Sequence, residues 1–207
     1  MGCFFYSNFE GKDLIAQVRA NGEGEFYQKI EFNIDYLKED AVQSDFGLES
    51  DVLNKEIELN KYNLAVNNLE NEIRDLTKDY PIEIMADEIA HFDSKVAALI
   101  VGIAKKESNW GIHSPSKNGQ TCYNYWGYKG AGSRGAALGY SCFGSPEEAI
   151  EIVGGRINHL ATQNIDTPQK MLVWKCGSSC AGHDPAGVRK WVSDVTIYYN
   201  KINKIAS

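Results

Sequence analysis

The sequence predicts a mainly α-helical protein in three parts: an N-terminal segment over 1–47 with a β-hairpin, a heptad helix over 48–80, and a helical domain over 81–207 carrying a long loop or small hairpin insert. Three observations predict this. Apolar residues alternate near the N-terminus, they step by three and four in the middle of the chain, and helix-start signals recur after Pro81. The composition, 43% hydrophobic and 24% charged over 207 residues, is that of a globular chain.

Between Glu25 and Leu37, residues Phe26, Ile30, Phe32, Ile34 and Tyr36 fall mainly on alternate positions, the period of a half-buried strand. Leu14–Val18, followed by Asn21-Gly22-Glu23-Gly24, supplies a partner strand and a turn. Leu59, Tyr62, Val66, Leu69, Ile73, Leu76 and Tyr80 then form an a/d seam, which Val52 extends backwards. A seam of this kind needs a covering surface. Its own domain and a second copy of the chain, joined through residues 52–80, are equally open as that surface. Pro81 closes this helix or opens the next. Asp93-Ser94, Ser145-Pro146-Glu147-Glu148, Thr167-Pro168 and Asp184-Pro185 each place a capping side chain before a first-turn residue, so each marks a helix N-terminus. Glu147 and Glu148 read as first-turn charges and Asp184 as a cap. From Gly111 to Gly144 the helical period disappears in favour of Gly, Ser, Asn and Tyr, and a loop segment of that length in a compact domain is usually functional.

Acids exceed bases by seven, and no dense Lys/Arg block offsets them, which argues against nucleic acid as a partner and favours a neutral or carbohydrate substrate. Val96–Ala104, the longest apolar run, is far short of the ~20 residues that cross a bilayer. The first ten residues match neither a signal peptide nor a myristoylation signal, since Tyr6 stands where the latter needs Ser or Thr.

On the helix expected after Asp93, Glu107 continues the stripe Val96, Leu99, Ile100 and Ile103, whereas Lys105 and Lys106 lie off it. This spacing predicts a carboxyl on the dry side without a fixed counter-charge, able to hold a proton for a leaving oxygen. Such a group suits a glycosidase general acid. The plainer alternative is a last-turn carboxylate bonded to nearby backbone or open to water.

The surrounding residues Glu107-Ser108-Asn109-Trp110-Gly111 resemble the Glu-Ser-x-Trp-Gly signature of the lysozyme-like superfamily, in particular peptidoglycan N-acetylglucosaminidases and lytic transglycosylases. Asn124-Tyr125-Trp126-Gly127-Tyr128-Lys129 and Tyr140–Ala149 are similar to two further segments of these enzymes, in the same order, and the helix from Val188 to Tyr199 resembles their closing helix. Ser141, Gly144 and Ala149 depart from the pattern. The resemblance spans about residues 82–200. It implies a lysozyme-like fold, cleavage of the β-1,4 bond between GlcNAc and MurNAc, Glu107 as general acid and base, no cofactor, and peptidoglycan strands as partner. It places Asn124 and Trp126 along the glycan cleft. Tyr125, Trp126, Tyr128 and Tyr140 are candidates for stacking on sugars, with Asn124 and Lys129 as hydrogen-bonding groups. Trp126 and Tyr128 are the preferred cleft rings, while Trp110, Trp174 and Trp191 read as core. The motifs mark no second carboxylate. A muramyl 6-hydroxyl or an acetamido group of the substrate can replace one, and a non-catalytic glycan-binding or coiled-coil scaffold protein with a degenerate lysozyme-like fold is the alternative.

Four of the five cysteines lie in the C-terminal part, allowing three pairings. Cys122 with Cys142 and Cys176 with Cys180 are preferred, the first closing a loop worth ~3 kcal/mol in the chain-entropy model. Such bonds, like the substrate, predict a secreted or cell-wall location, against the lack of a visible signal peptide. The rival is zinc at Cys176, Cys180 and His183, which lacks an evident fourth ligand. Cys3 is left over, and His113 and His159 read as ordinary hydrogen-bonding residues.

Overall fold

The computed structural model describes the backbone of residues 3–6, 14–18, 26–30 and 42–203, with side chains over residues 50–203. The chain is mainly helical and divides into two compact units, 1–57 and 58–207. In the first, β1 (Cys3–Tyr6), β2 (Leu14–Val18) and β3 (Phe26–Ile30) form an antiparallel sheet in that order. Val18 faces Phe26 and Leu14 faces Ile30, the hairpin expected from the alternation, and β1 is a strand the pattern did not mark. Phe32, Ile34, Tyr36 and the side chain of Cys3 lie outside the described residues.

Helix α1 (Val42–Thr77) contributes to both units. The later half of its heptad seam is covered by the chain's own second unit: Ile73 is fully buried, and Val66, Leu69, Leu76 and Tyr80 pack on the core. A coiled coil over the whole of 52–80 is therefore excluded by packing. Val52, Leu59 and Tyr62 are exposed. The expected boundary at residue 81 moves upstream for the same reason, because the end of α1 is part of the core that follows it.

A 3-10 turn (Pro81–Met85) and α2 (Ala86–Ala90) lead to α3 (Ser94–Ser108), whose N-cap Asp93 accepts a bond from the Lys95 amide at 2.9 Å. Helix α3 is the axis of the domain. Every residue from Val96 to Ala104 is buried, so the helix is apolar all round rather than on one stripe. Helix α4 (Pro146–Thr162), capped by Ser145, packs on one side of it, and α6 (Pro185–Asn203) on another. A Cβ on Gly102 would meet the Val195 carbonyl at 3.0 Å, so the absence of a side chain sets the α3–α6 approach. Asp184 caps α6 through the amides of Ala186 and Gly187. The start signal at Thr167-Pro168 yields a turn first, and α5 begins only at Leu172 and ends at Cys176.

The insert between α3 and α4 holds two hairpins, β4 (Ser116–Lys117) with β5 (Gln120–Thr121), and β6 (Ala136–Ala137) with β7 (Tyr140–Ser141). Asn118-Gly119 and Leu138-Gly139 turn them with positive φ at all four residues, the geometry of tight two-residue hairpins. Cys122 and Cys142 are disulfide-bonded, and Arg134 ties the hairpins by donating to the carbonyls of Thr121 and Lys117 at 2.8 and 3.0 Å. Glu148 holds the loop to α4, accepting from Ser133 N and Oγ at 2.7 and 2.5 Å and from Gly144 N at 2.6 Å. It is more than a first-turn charge, and the Ser133 hydroxyl, with these amides, holds its carboxyl below the usual range.

Candidate active site

The carboxylate of Glu107 does not lie on a dry face. The continuous buried run ends at Ala104, one turn earlier, and Glu107 is exposed at the C-terminal end of α3 although Ser108 beside it is buried. With the helix surrounded on all sides, the apolar spacing that pointed to Glu107 does not define an inner face, and this corrects the expectation of a desolvated acid. Its neighbours are fixed nonetheless. The Trp191 indole Nε1 on α6 donates to Oε1 at 2.7 Å. A Cβ on Gly127 would sit 3.6 Å from Oε2 and 3.7 Å from the Tyr140 ring. One carboxylate oxygen is thus held by the core, and the other faces the space beside Gly127 and Tyr140. Lys106 is committed to Asp194 at 2.6 Å, and Lys105 lies over the Trp110 and Tyr80 rings at 4.0 and 4.6 Å, so neither lysine pairs with Glu107.

Glu107 lines an open groove of about 560 Å³, within the range of ligand sites. Its walls come from the end of α3, the loop from Trp126 to Lys129, Tyr140 on β7, Arg156 and Leu160 on α4, and Val173, Trp174, Lys175 and Gly177 at α5. Among the described residues, Glu107 is the sole carboxylate of this lining. A second hollow of about 440 Å³, between α1 and Ala90–Ser94, shares no residue with it.

The remaining residues of the Glu107–Gly111 block are scaffold. Ser108 Oγ is buried, donates to the Tyr125 carbonyl at 2.8 Å and accepts from the Gly111 amide at 2.9 Å. Trp110 donates to the Val101 carbonyl at 2.9 Å. Gly111, at φ +97, leaves no room for a Cβ, which would meet the Tyr125 ring at 2.8 Å. Together these bonds press the 122–128 loop onto the end of α3.

Of the residues expected to meet sugar, Tyr128, Lys129 and Tyr140 line the groove, Tyr140 being 37% exposed. Asn124 does not reach it. Its amide is buried and spent within the loop, donating to the carbonyls of Tyr128 and Ser141 at 2.8 and 2.9 Å and accepting from Tyr128 N at 3.0 Å. Tyr125 lies in the core, and burial pushes its phenol up to about 12, so it stays protonated. Trp126 borders the groove but is 1% exposed, with its indole donating to the Ile100 carbonyl at 2.8 Å. Its face is therefore not free for stacking.

Sequence reasoning missed Trp174, expected in the core. It is half-buried in the groove wall, donates to the Trp126 carbonyl at 3.0 Å, and ends a stack in which Tyr128 lies 6.0 Å from it and 6.3 Å from Phe143. Arg156 and Lys175 were missed as well. The nearby signal was the Gly- and Cys-rich sequence after Trp174, which leaves α5 too short to carry a buried face. Trp110 and Trp191 are buried as expected. Cys176 and Cys180 are bonded to each other, which consumes the thiolates that zinc would require. Among the described residues, no helix is long and apolar enough to cross a membrane. Comparison of the chain with protein-family models, curated proteins and solved structures finds no match.

Proposed function

We propose that this protein cleaves the β-1,4 glycan strand of peptidoglycan between GlcNAc and MurNAc, through a lysozyme-like helical domain in which Glu107 acts as general acid and then base. One observation carries the reading. A single carboxylate, fixed on one oxygen by a buried indole, presents its other oxygen to a groove lined with aromatic and hydrogen-bonding side chains. Protonated at Oε2, Glu107 gives its proton to the glycosidic oxygen as the C1–O bond breaks. With no second carboxylate in the lining, the electron pair that satisfies C1 comes from the substrate, either its acetamido oxygen or the muramyl 6-hydroxyl. In the latter case Glu107, now ionised, takes the hydroxyl proton and is returned to its starting form.

The ordered blocks around Glu107, Asn124 and Tyr140 support the same reading, and the two disulfides accord with a cell-wall or secreted setting. The second reading, a glycan-binding module without catalysis, is favoured by the same single-carboxylate lining. Digestion of purified peptidoglycan with mass analysis of the fragments separates the two. A 1,6-anhydro end identifies transglycosylation, a reducing GlcNAc end a glucosaminidase, and a reducing MurNAc end a muramidase. Glu107→Gln is expected to lower the rate by about 10²–10⁴-fold. No release by the unmodified protein sinks the enzymatic reading and leaves the binding module.

A further inference from the structure

The groove has the opposite charge to the molecule around it. The chain carries seven more acidic than basic residues. Elsewhere Lys61, Arg74, Lys95, Lys106, Lys170 and Lys190 each meet a carboxylate at 2.6–3.4 Å, Lys117 and Arg134 bond to backbone carbonyls, and Lys105 and Lys201 lie over aromatic rings, while Lys55, Lys78 and Arg189 have no such partner among the described residues. Lys129, Arg156 and Lys175, which line the groove, form no ion pair or hydrogen bond among the described residues. Lys129 only leans over the Tyr140 ring, at 5.3 Å. Three cations therefore face one carboxylate in the groove of an acidic protein. They sit on separate elements, the 126–129 loop, α4 and α5, so no single helix accounts for their convergence.

Resting on the proposed glycan cleavage, we infer that this groove selects strands bearing carboxylates, read by Lys129, Arg156 and Lys175 on the walls around Glu107. A neutral strand satisfies the aromatic stack formed by Trp174 and Tyr128 but leaves the cations without a partner. A carboxylated strand meets both. The groove is open to water, so each contact contributes an affinity factor of up to about five, reduced by salt. The same field draws anionic strands toward a molecule whose overall charge repels them. Two sources supply this chemistry in a cell-wall glycan: the lactyl carboxylate of a peptide-free muramyl residue, and the carboxylates of a stem peptide.

The experiment measures binding by Glu107→Gln, which removes turnover, to three oligosaccharides of equal length: a β-1,4-linked GlcNAc oligomer, a peptide-free GlcNAc–MurNAc oligomer, and the latter bearing stem peptides. At low ionic strength one anionic oligomer or both should bind about fivefold or more tightly than the neutral one, and added salt should shrink that ratio. Preference for the peptide-free strand assigns the lactyl carboxylate, preference for the peptide-bearing strand assigns the stem, and either outcome upholds the inference. Combined Lys129→Gln, Arg156→Gln and Lys175→Gln should bring the ratio toward one, whereas Lys78→Gln, outside the groove, should not. The salt series on the protein without these three changes gives the answer even if the triple variant folds poorly. Equal affinity for neutral and anionic oligomers overturns the inference while leaving glycan binding intact, as does a preference that survives in the folded triple variant. Failure to bind any of the three removes the functional reading itself.

Discussion

Trp191 Nε1 and Glu107 Oε1, 2.7 Å apart, join the last helix to the end of α3 at the one carboxylate of the groove. The indole is fully buried, so its position is set by the core, and its N–H orients Glu107 without needing to touch substrate. Trp191→Phe retains most of the ring volume and deletes the donor. Once Glu107 has given up its proton, losing a hydrogen bond to the charged carboxylate costs on the order of 1.5–3 kcal/mol at that stage of the proposed cycle. The expected result is a kcat lower by roughly tenfold or more with KM little changed, measured on a soluble muropeptide oligomer. A fall in thermal stability with kcat intact would mean that the indole serves packing alone. Glu107 itself was legible as a candidate from its motif, but its exposure was not, because apolar spacing cannot distinguish a helix with one buried face from one surrounded by protein.

The 122–128 loop is an element built from side-chain bonds in place of a strand ladder. Asn124 occupies its centre with three bonds to backbone, and Ser108 anchors it from α3. Asn124→Ala leaves the Ser141 carbonyl, in a buried bond, without this donor and the half-buried Tyr128 carbonyl with only the Ser141 amide, at a cost of about 1–3 kcal/mol. It should lower the denaturation midpoint and also weaken activity, because Asn124 holds the backbone of Tyr128, which lines the groove with Lys129. Lys129→Ala should leave the unfolding free energy within about 0.5 kcal/mol of the original, since its side chain is exposed. Parallel urea titrations check both. The sequence marked this segment as functional through its turn residues. It did not distinguish the residue that shapes the loop from those that face the groove, because an amide has the same bonding capacity in either role. Helix starts at Asp93, Ser145 and Asp184 were legible because capping is local chemistry, whereas the walls contributed by α4 and α5 depend on packing between distant segments.

At the scale of the whole molecule, ion pairs bind segments far apart in sequence: Lys95 with Asp166, and Lys106 with Asp194. Hydrogen bonds from Lys170 and Lys106, respectively, hold the carboxyls of Asp166 and Asp194 below their ordinary range. A carboxyl whose folded pKa lies below its unfolded value adds stability that is fully present above the unfolded value, and the gain disappears as pH falls through the folded one. These two, with Glu148, should make the protein lose stability below about pH 4. Glu72 runs the other way. Burial, and then Asp75, raise its pKa, so its contribution is lost as pH rises through the folded value. Thermal melts at a series of pH values should show the acid loss, and Asp194→Asn should reduce its steepness. The mainly helical class and the hairpin of β2 with β3 were legible from periodicity. The covering of the heptad seam was not, because a seam records the need for a partner without recording which surface meets it.

The two cystine bridges have a practical consequence for anyone preparing the protein. Cys122–Cys142 fastens the segment that bears Tyr128, Lys129 and Tyr140, and Cys176–Cys180 closes the end of α5 beside Lys175 and Gly177, so both banks of the groove are covalently braced while the long helices α3, α4 and α6 contain no cysteine. Loss of the first bridge alone removes ~3 kcal/mol in the chain-entropy model. Because Cys122 and Cys142 are fully buried, dithiothreitol present while the chain folds, rather than added afterwards, should yield a sample with nearly unchanged far-ultraviolet circular dichroism and a slack groove, and a helical spectrum by itself is no proof that the preparation is fit for assay.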